Sequence, residues 1–171
     1  MHVSKIKEAL RVTVSLLRID DRLIHGQVAF GWTSSLGINT ILVVNDEAKN
    51  DQMKAMALNL AKPSNVNLYI RSIEESGEII EKFSHSKKSN VLVLVKNTVD
   101  ARKLIENTGN VIKGINIGGL RYYEGKRKLT DLVAVNEEDI ENLKAIHASG
   151  VEVEFRMLPR DKRKTLEDFD L

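Results

Sequence analysis

An open, doubly wound, mostly parallel sheet with helices on both faces is the α/β fold that this 171-residue chain predicts. Three features predict it. Short β-branched runs alternate with longer stretches of helical period. Several of the runs are apolar almost without interruption, as strands are when both faces of a parallel sheet are covered. Turn and cap residues fall between the runs at the spacing of a β-α repeat.

The strands are expected at Thr13–Ile19, Thr40–Val44, Val66–Ile70, Asn90–Val95, Gly114–Ile117, Leu132–Val135 and Val151–Met157. The first helix is expected from Gly26 or Gln27, with Val28, Trp32 and Leu36 facing inward. Met53, Met56, Ala57 and Leu60 fall at i, i+3, i+4 and i+7 and predict a second buried stripe. Ile73, Gly77, Ile80 and Phe83 predict a third; Ala101, Leu104 and Ile105 a fourth; Ile140, Leu143 and Ile146 a fifth. Pro63-Ser64-Asn65 separates the second helix from the third strand. Asn136 followed by Glu137, Glu138 and Asp139 reads as a helix cap with acids in the first turn. Ser149-Gly150 stops that helix. The whole chain reads as one domain: an extension over 1–11, an α/β core over 12–158 and a charged tail over 159–171.

Composition removes several functional classes. With 26 basic and 24 acidic side chains the formal charge is +2, without the basic excess of a dedicated nucleic-acid binder. There are no cysteines, so disulfides, thiolate metal sites and cysteine nucleophiles are excluded. No apolar run approaches the ~18 residues that cross a bilayer. The basic start followed by Val12–Leu17 is too short and too interrupted for a signal peptide. A cytoplasmic location is expected.

The most specific stretch is Arg18-Ile19-Asp20-Asp21-Arg22-Leu23-Ile24-His25-Gly26-Gln27-Val28. It places His25 in the loop between the first strand and the first helix. Ligands of open α/β sheets bind beyond the carboxyl ends of the strands. Unpaired N–H groups of Gly26 and Gln27 at a helix start favour an anion, and Gly26 leaves room for a phosphate to approach the main chain. A neutral imidazole is available near physiological pH. Asp20 or Asp21 would hold one ring N–H and free the other nitrogen, while Arg22 would neutralise phosphoryl oxygens. Phosphoryl transfer asks chiefly for positioning and electrostatics. The loop supplies both without a cofactor or metal.

Other candidates are weaker. Asn97 and Thr98 follow the fourth strand at the same edge and would either bind the phosphate or cap the next helix. Gly118-Gly119 would shape the pocket wall or simply turn the chain. Neither it nor the first turn is a G-x-G-x-x-G fingerprint, so a dinucleotide site is disfavoured. His2 is terminal, His85 reads as an exposed loop residue and His147 as a structural histidine near a buried stripe. Four scattered histidines give no metal signal. The basic, tyrosine-bearing segment Arg121–Lys128 and the run Arg160–Lys164 read as solvated surface or as docking faces.

The motif over residues 18–28 resembles the phosphorylation site of the IIB subunit of the mannose/fructose/sorbose class of the bacterial phosphoenolpyruvate-dependent sugar phosphotransferase system. The likeness continues through Val91–Asn97, Ile115–Gly119 and Gly150–Arg156, and covers about residues 13–160. It implies a phosphocarrier that takes phosphate onto His25 from a phosphorylated IIA protein and passes it to sugar held by membrane subunits IIC and IID. It implies Asp20 and Arg22 as the acid and the arginine beside that histidine, and the doubly wound fold derived above. Such a subunit would be cytoplasmic and peripherally associated with the membrane complex. The alternative is a regulatory or binding module on the same fold that moves no sugar. Which sugar is carried, and whether the chain forms a homodimer, the sequence leaves open.

Overall fold

The computed structural model describes residues 14–109 and 111–171. The extension over 1–11, His2 and the expected strand start at Thr13 lie outside them. Strands β1 (Val14–Asp20), β2 (Thr40–Val44), β3 (Asn67–Arg71), β4 (Val91–Val95), β5 (Gly114–Gly119), β6 (Arg127–Lys128), β7 (Ala134–Val135), β8 (Glu152–Phe155) and β9 (Lys164–Thr165) alternate with helices. The helices are α1 (Gly26–Leu36), α2 (Asp46–Asn50), α3 (Gln52–Ala61), α4 (Ile73–Ser84), α5 (Thr98–Thr108) and α6 (Glu137–Ala148).

Seven strands form one sheet in the order β3-β2-β4-β1-β5-β8-β9. Every pairing in it is parallel except that of β9 with β8. β2 and β4 are buried along their whole length, which is why they read as unbroken Ile/Leu/Val runs. Side chains alternate between two cores. Leu17, Ile19, Val93, Ile115 and Ile117 point to the face covered by Ile80 of α4, Leu104 of α5 and Leu143 of α6. Ile41, Val43, Leu92 and Leu94 point to the other, covered by Val28, Ala29 and Trp32 of α1 and Leu58 of α3. Arg18, Asp20 and Asn116 share that second face by the two-residue period of a strand.

The helix starts follow local chemistry. Ser72 and Asn136 form capping boxes with Glu75 and Asp139, and Asn45, Asp51 and Asn97 cap α2, α3 and α5. Ser149 caps the end of α6, and Gly150 takes the left-handed conformation there.

Four expectations are corrected. Met53, Met56 and Leu60 point outward, at 81%, 65% and 86% exposure, and α3 buries Leu58 instead. The periodicity was helical, but a spacing does not say which face meets the sheet. Leu36, expected inward, lies at the exposed end of α1. Leu132–Val135 does not join the main sheet; Ala134–Val135 pairs with Arg127–Lys128 in a small antiparallel ladder. His147 is exposed on α6 rather than buried. Within the charged tail, for which the sequence suggested no element, β9 adds an antiparallel edge, and Phe169 packs edge-on against Phe155 with centroids 4.9 Å apart.

The connection after β1 runs to β2 on one side, and that after β5 runs to β8 on the other. The loops therefore part above the β1–β5 border, a switch point of the sheet. There the register slips between Ile19 and Asp20, so that Asp20 faces Gly119.

Candidate active site

The site is a turn at the carboxyl end of β1. The Leu23 N–H donates to the Asp20 carbonyl at 2.9 Å, and the Arg22 N–H donates to Asp20 Oδ1 at 3.1 Å. The chain reverses over Asp20 as an aspartate-closed turn. Leu23 takes φ +57, which costs a non-glycine residue about 1–2 kcal/mol. The side chains of Leu23 and Ile24 enter the second core and offset that cost. Anchored by them, the chain presents Arg22 to solvent and brings His25 back over the strand end. Gly26, the first residue of α1, takes φ +43. A Cβ there would meet nothing within 4 Å, so the approach to the main chain is open.

His25 Nε2 lies 2.8 Å from Asp20 Oδ2, with the imidazole 19% exposed and the carboxylate 1%. Arg18 Nη2 donates to the same Oδ2 at 3.0 Å. The direction of the histidine bond follows. A guanidinium only donates, Oδ2 therefore accepts from it, and Oδ1 accepts from Arg22 N–H. A carboxylate accepting on both oxygens takes a proton from Nε2 as donor. In the neutral ring Nε2 then carries the hydrogen, and Nδ1 keeps the lone pair.

Arg18 is 1% exposed. Its Nη1 donates to Asn116 Oδ1 at 2.5 Å and to the Arg156 carbonyl at 3.3 Å, and its plane lies 5.7 Å from the Trp32 ring centroid. Gly118 lies against the guanidinium; any Cβ there would overlap it. Burial pulls the Arg18 guanidinium below its usual value, and the charge of Asp20 with its hydrogen bond opposes the pull. Sequence reading gave Arg18 and Asn116 no role of their own, and Gly118 only that of a pocket wall or a turn. Arg18 stands two residues before Asp20 on one strand, so it shares that face, but Asn116 needs the β1–β5 register.

Asp20, not Asp21, faces the ring. Asp21 turns to the neighbouring loop, where its Oδ2 accepts from the N–H and Nε of Arg121 at 2.9 and 3.1 Å. Gln27 is exposed in the first turn of α1. The His25 side chain does not cap that helix, so its first N–H groups stay open to an anion. Of the two readings of Asn97 and Thr98, phosphate binding or a structural cap, the structure shows structural bonds. Asn97 Oδ1 accepts from Asp100 N–H, and the fully buried Thr98 hydroxyl donates to Asp139 Oδ1 at 2.7 Å. A crevice of about 210 Å³ beside Arg22 is lined also by Gly119, Arg121, Tyr122 and Lys128. Among the described residues, no cluster of three His, Asp or Glu side chains is placed to hold a metal ion. No helix among them is long and apolar enough to cross a membrane.

Fold and site together define a class: a parallel α/β domain presenting one carboxylate-oriented imidazole beside a helix N-terminus at its sheet's switch point. The chain belongs to the family of PTS system sorbose subfamily IIB components, whose model matches residues 14–170. It is 34% identical over 157 residues to the N-acetylgalactosamine-specific phosphotransferase enzyme IIB component 1 of Escherichia coli (strain K12), across 91% of this chain and 97% of that protein. It is 33% identical over 159 residues to the PTS system mannose-specific EIIAB component of the same strain. That match takes in 92% of this chain but 48% of the relative, so the chain spans about half its length. The crystal structure of the PTS system N-acetylgalactosamine-specific IIB component 1 from Escherichia coli superposes with a TM-score of 0.84 at 28% identity, over 90% of this chain and 99% of that one.

Proposed function

We propose that this chain is the phosphocarrier subunit of a sugar-transporting phosphotransferase system, and that His25 Nδ1 carries the phosphate. A IIA protein phosphorylated on histidine is the donor; sugar held by membrane subunits IIC and IID is the acceptor. The carrier works in the cytoplasm, docked peripherally on the membrane complex. The observation that supports this reading is the Asp20–His25 hydrogen bond, which leaves Nδ1 as the free nucleophile.

In the first step the Nδ1 lone pair attacks phosphorus in line. The new N–P bond forms as the donor's N–P bond breaks, and the donor imidazole keeps that electron pair. Positive charge growing on the His25 ring is stabilised through Nε2–H by the Asp20 carboxylate. Arg22 and the N–H groups of Gly26 and Gln27 neutralise the phosphoryl oxygens. In the second step a sugar hydroxyl oxygen attacks phosphorus, the His25 N–P bond breaks back to a lone pair, and the hydroxyl proton is lost to a base or solvent. No cofactor enters either step. Relatives are named for mannose and for N-acetylgalactosamine, so family membership does not choose the sugar.

The test is phosphate labelling. With phosphoenolpyruvate, the two general phosphotransferase proteins and a cognate IIA, the wild type should acquire one acid-labile phosphate and His25→Ala none. A chain that stays unlabelled is a binding or regulatory module, and the proposal fails.

A further inference from the structure

We propose that Arg18 is a positioning residue for this phosphoryl step, acting on His25 through Asp20; this rests on the phosphocarrier reading above. The guanidinium never reaches solvent, so it is not a phosphate ligand like Arg22. It is held on every side. Asp20, Asn116 and the Arg156 carbonyl take its donors, Trp32 covers one face, and Gly118 gives room on another.

That enclosure does two things. It pins Oδ2 of Asp20, and with it the imidazole plane. It also supplies the countercharge. A buried carboxylate alone beside His25 would favour a charged imidazolium, which has no lone pair for phosphorus. With Arg18 as the permanent cation the pair is already neutral, and Asp20 orients the ring without charging it. The other charges around Arg18 are Arg22 on the turn, Glu154, and Arg156, whose guanidinium lies 5.2 Å from the same Trp32 ring centroid. Glu154 is occupied by Arg156 and Arg163, which leaves Asp20 as the direct ionic partner of Arg18.

The test uses full-length Arg18→Met and Arg18→Lys, with circular dichroism to verify folding. Phosphoryl acceptance from IIA and the ¹⁵N spectrum of the His25 ring are measured against pH. Arg18→Met should slow acceptance at least tenfold, and half-protonation of His25 should move to higher pH. Arg18→Lys should restore the titration but not the single Nε2–H tautomer, because an ammonium lacks the fork. A folded Arg18→Met with wild-type rate and titration overturns the proposal. If Arg18→Met does not fold, Asn116→Ala decides, since it loosens the guanidinium while keeping it. A rate reduced severalfold with mixed tautomers supports the proposal, and an unchanged rate overturns it. Wild type labelled on His25 with unaffected Arg18 variants sinks this inference alone; wild type unlabelled sinks the phosphocarrier reading.

Discussion

His25 and Asp20 meet at 2.8 Å through Nε2 and Oδ2, although five positions separate them along the chain. Between them Leu23 takes positive φ, and the chain folds back on the strand that carries Asp20. Asp20→Asn keeps the shape but offers Arg18 and His25 an amide in place of an anion. Phosphoryl acceptance should fall by about 10²–10⁴-fold, the range that a lost proton-holding partner costs. Rapid-quench labelling with IIA measures it, and a loss under threefold would mean that the carboxylate only packs.

Gly26→Ala should cost about 1 kcal/mol of stability, because φ +43 suits no Cβ although the space is empty. Phosphoryl acceptance should drop too, as the helix start and the His25 ring move together. Urea unfolding and labelling on the same protein check both effects.

Thr98→Val separates structure from chemistry at the neighbouring strand end. Its hydroxyl donates to Asp139 and accepts from Asn142, both largely buried. Removing it should cost about 1–3 kcal/mol. Labelling of the folded variant should stay within twofold of wild type. A large rate loss with intact stability would return Thr98 to the phosphate site.

The carboxyl of Asp100 lies above its usual range because burial, and then the charge of Asp46, disfavour its ionised form. Lys103, Asn97 and Lys96 oppose the shift. The folded state therefore holds this proton more tightly than the unfolded chain. Its contribution to stability falls as pH rises from the usual carboxyl value through the raised one. Asp100→Asn removes that dependence. The urea midpoint of the variant should gain on wild type between mildly acidic and neutral pH; a gap that narrows instead contradicts the assignment.

The extent to which this molecule is legible in its sequence depends on the distance each inference must cross. Strand identity in Thr40–Val44 and Val91–Val95 needs nothing beyond the run itself. The Asp20, Arg22 and His25 loop is readable because its members lie within one turn. Arg18 was visible in the motif but silent, since its partner Asn116 sits 98 positions away and only the pairing of β1 with β5 joins them. Met53, Met56 and Leu60 mislead because helical period fixes a spacing and not an orientation. The tail hides its order in two residues of β9 and one phenylalanine, too little for any pattern. Asn97 and Thr98 were rightly placed at the sheet's carboxyl edge; the partners that occupy them come from their own helix and from α6.

The position of the phosphate on the ring decides whether the Asp20 hydrogen bond leaves Nδ1 of His25 as the nucleophile. The wild-type chain, phosphorylated through IIA, would be studied by ³¹P and long-range ¹H–¹⁵N correlation. Phosphorus should sit on Nδ1 of His25, with Nε2 still protonated and hydrogen-bonded to Asp20. Phosphorus on Nε2, or on any other side chain, would contradict it.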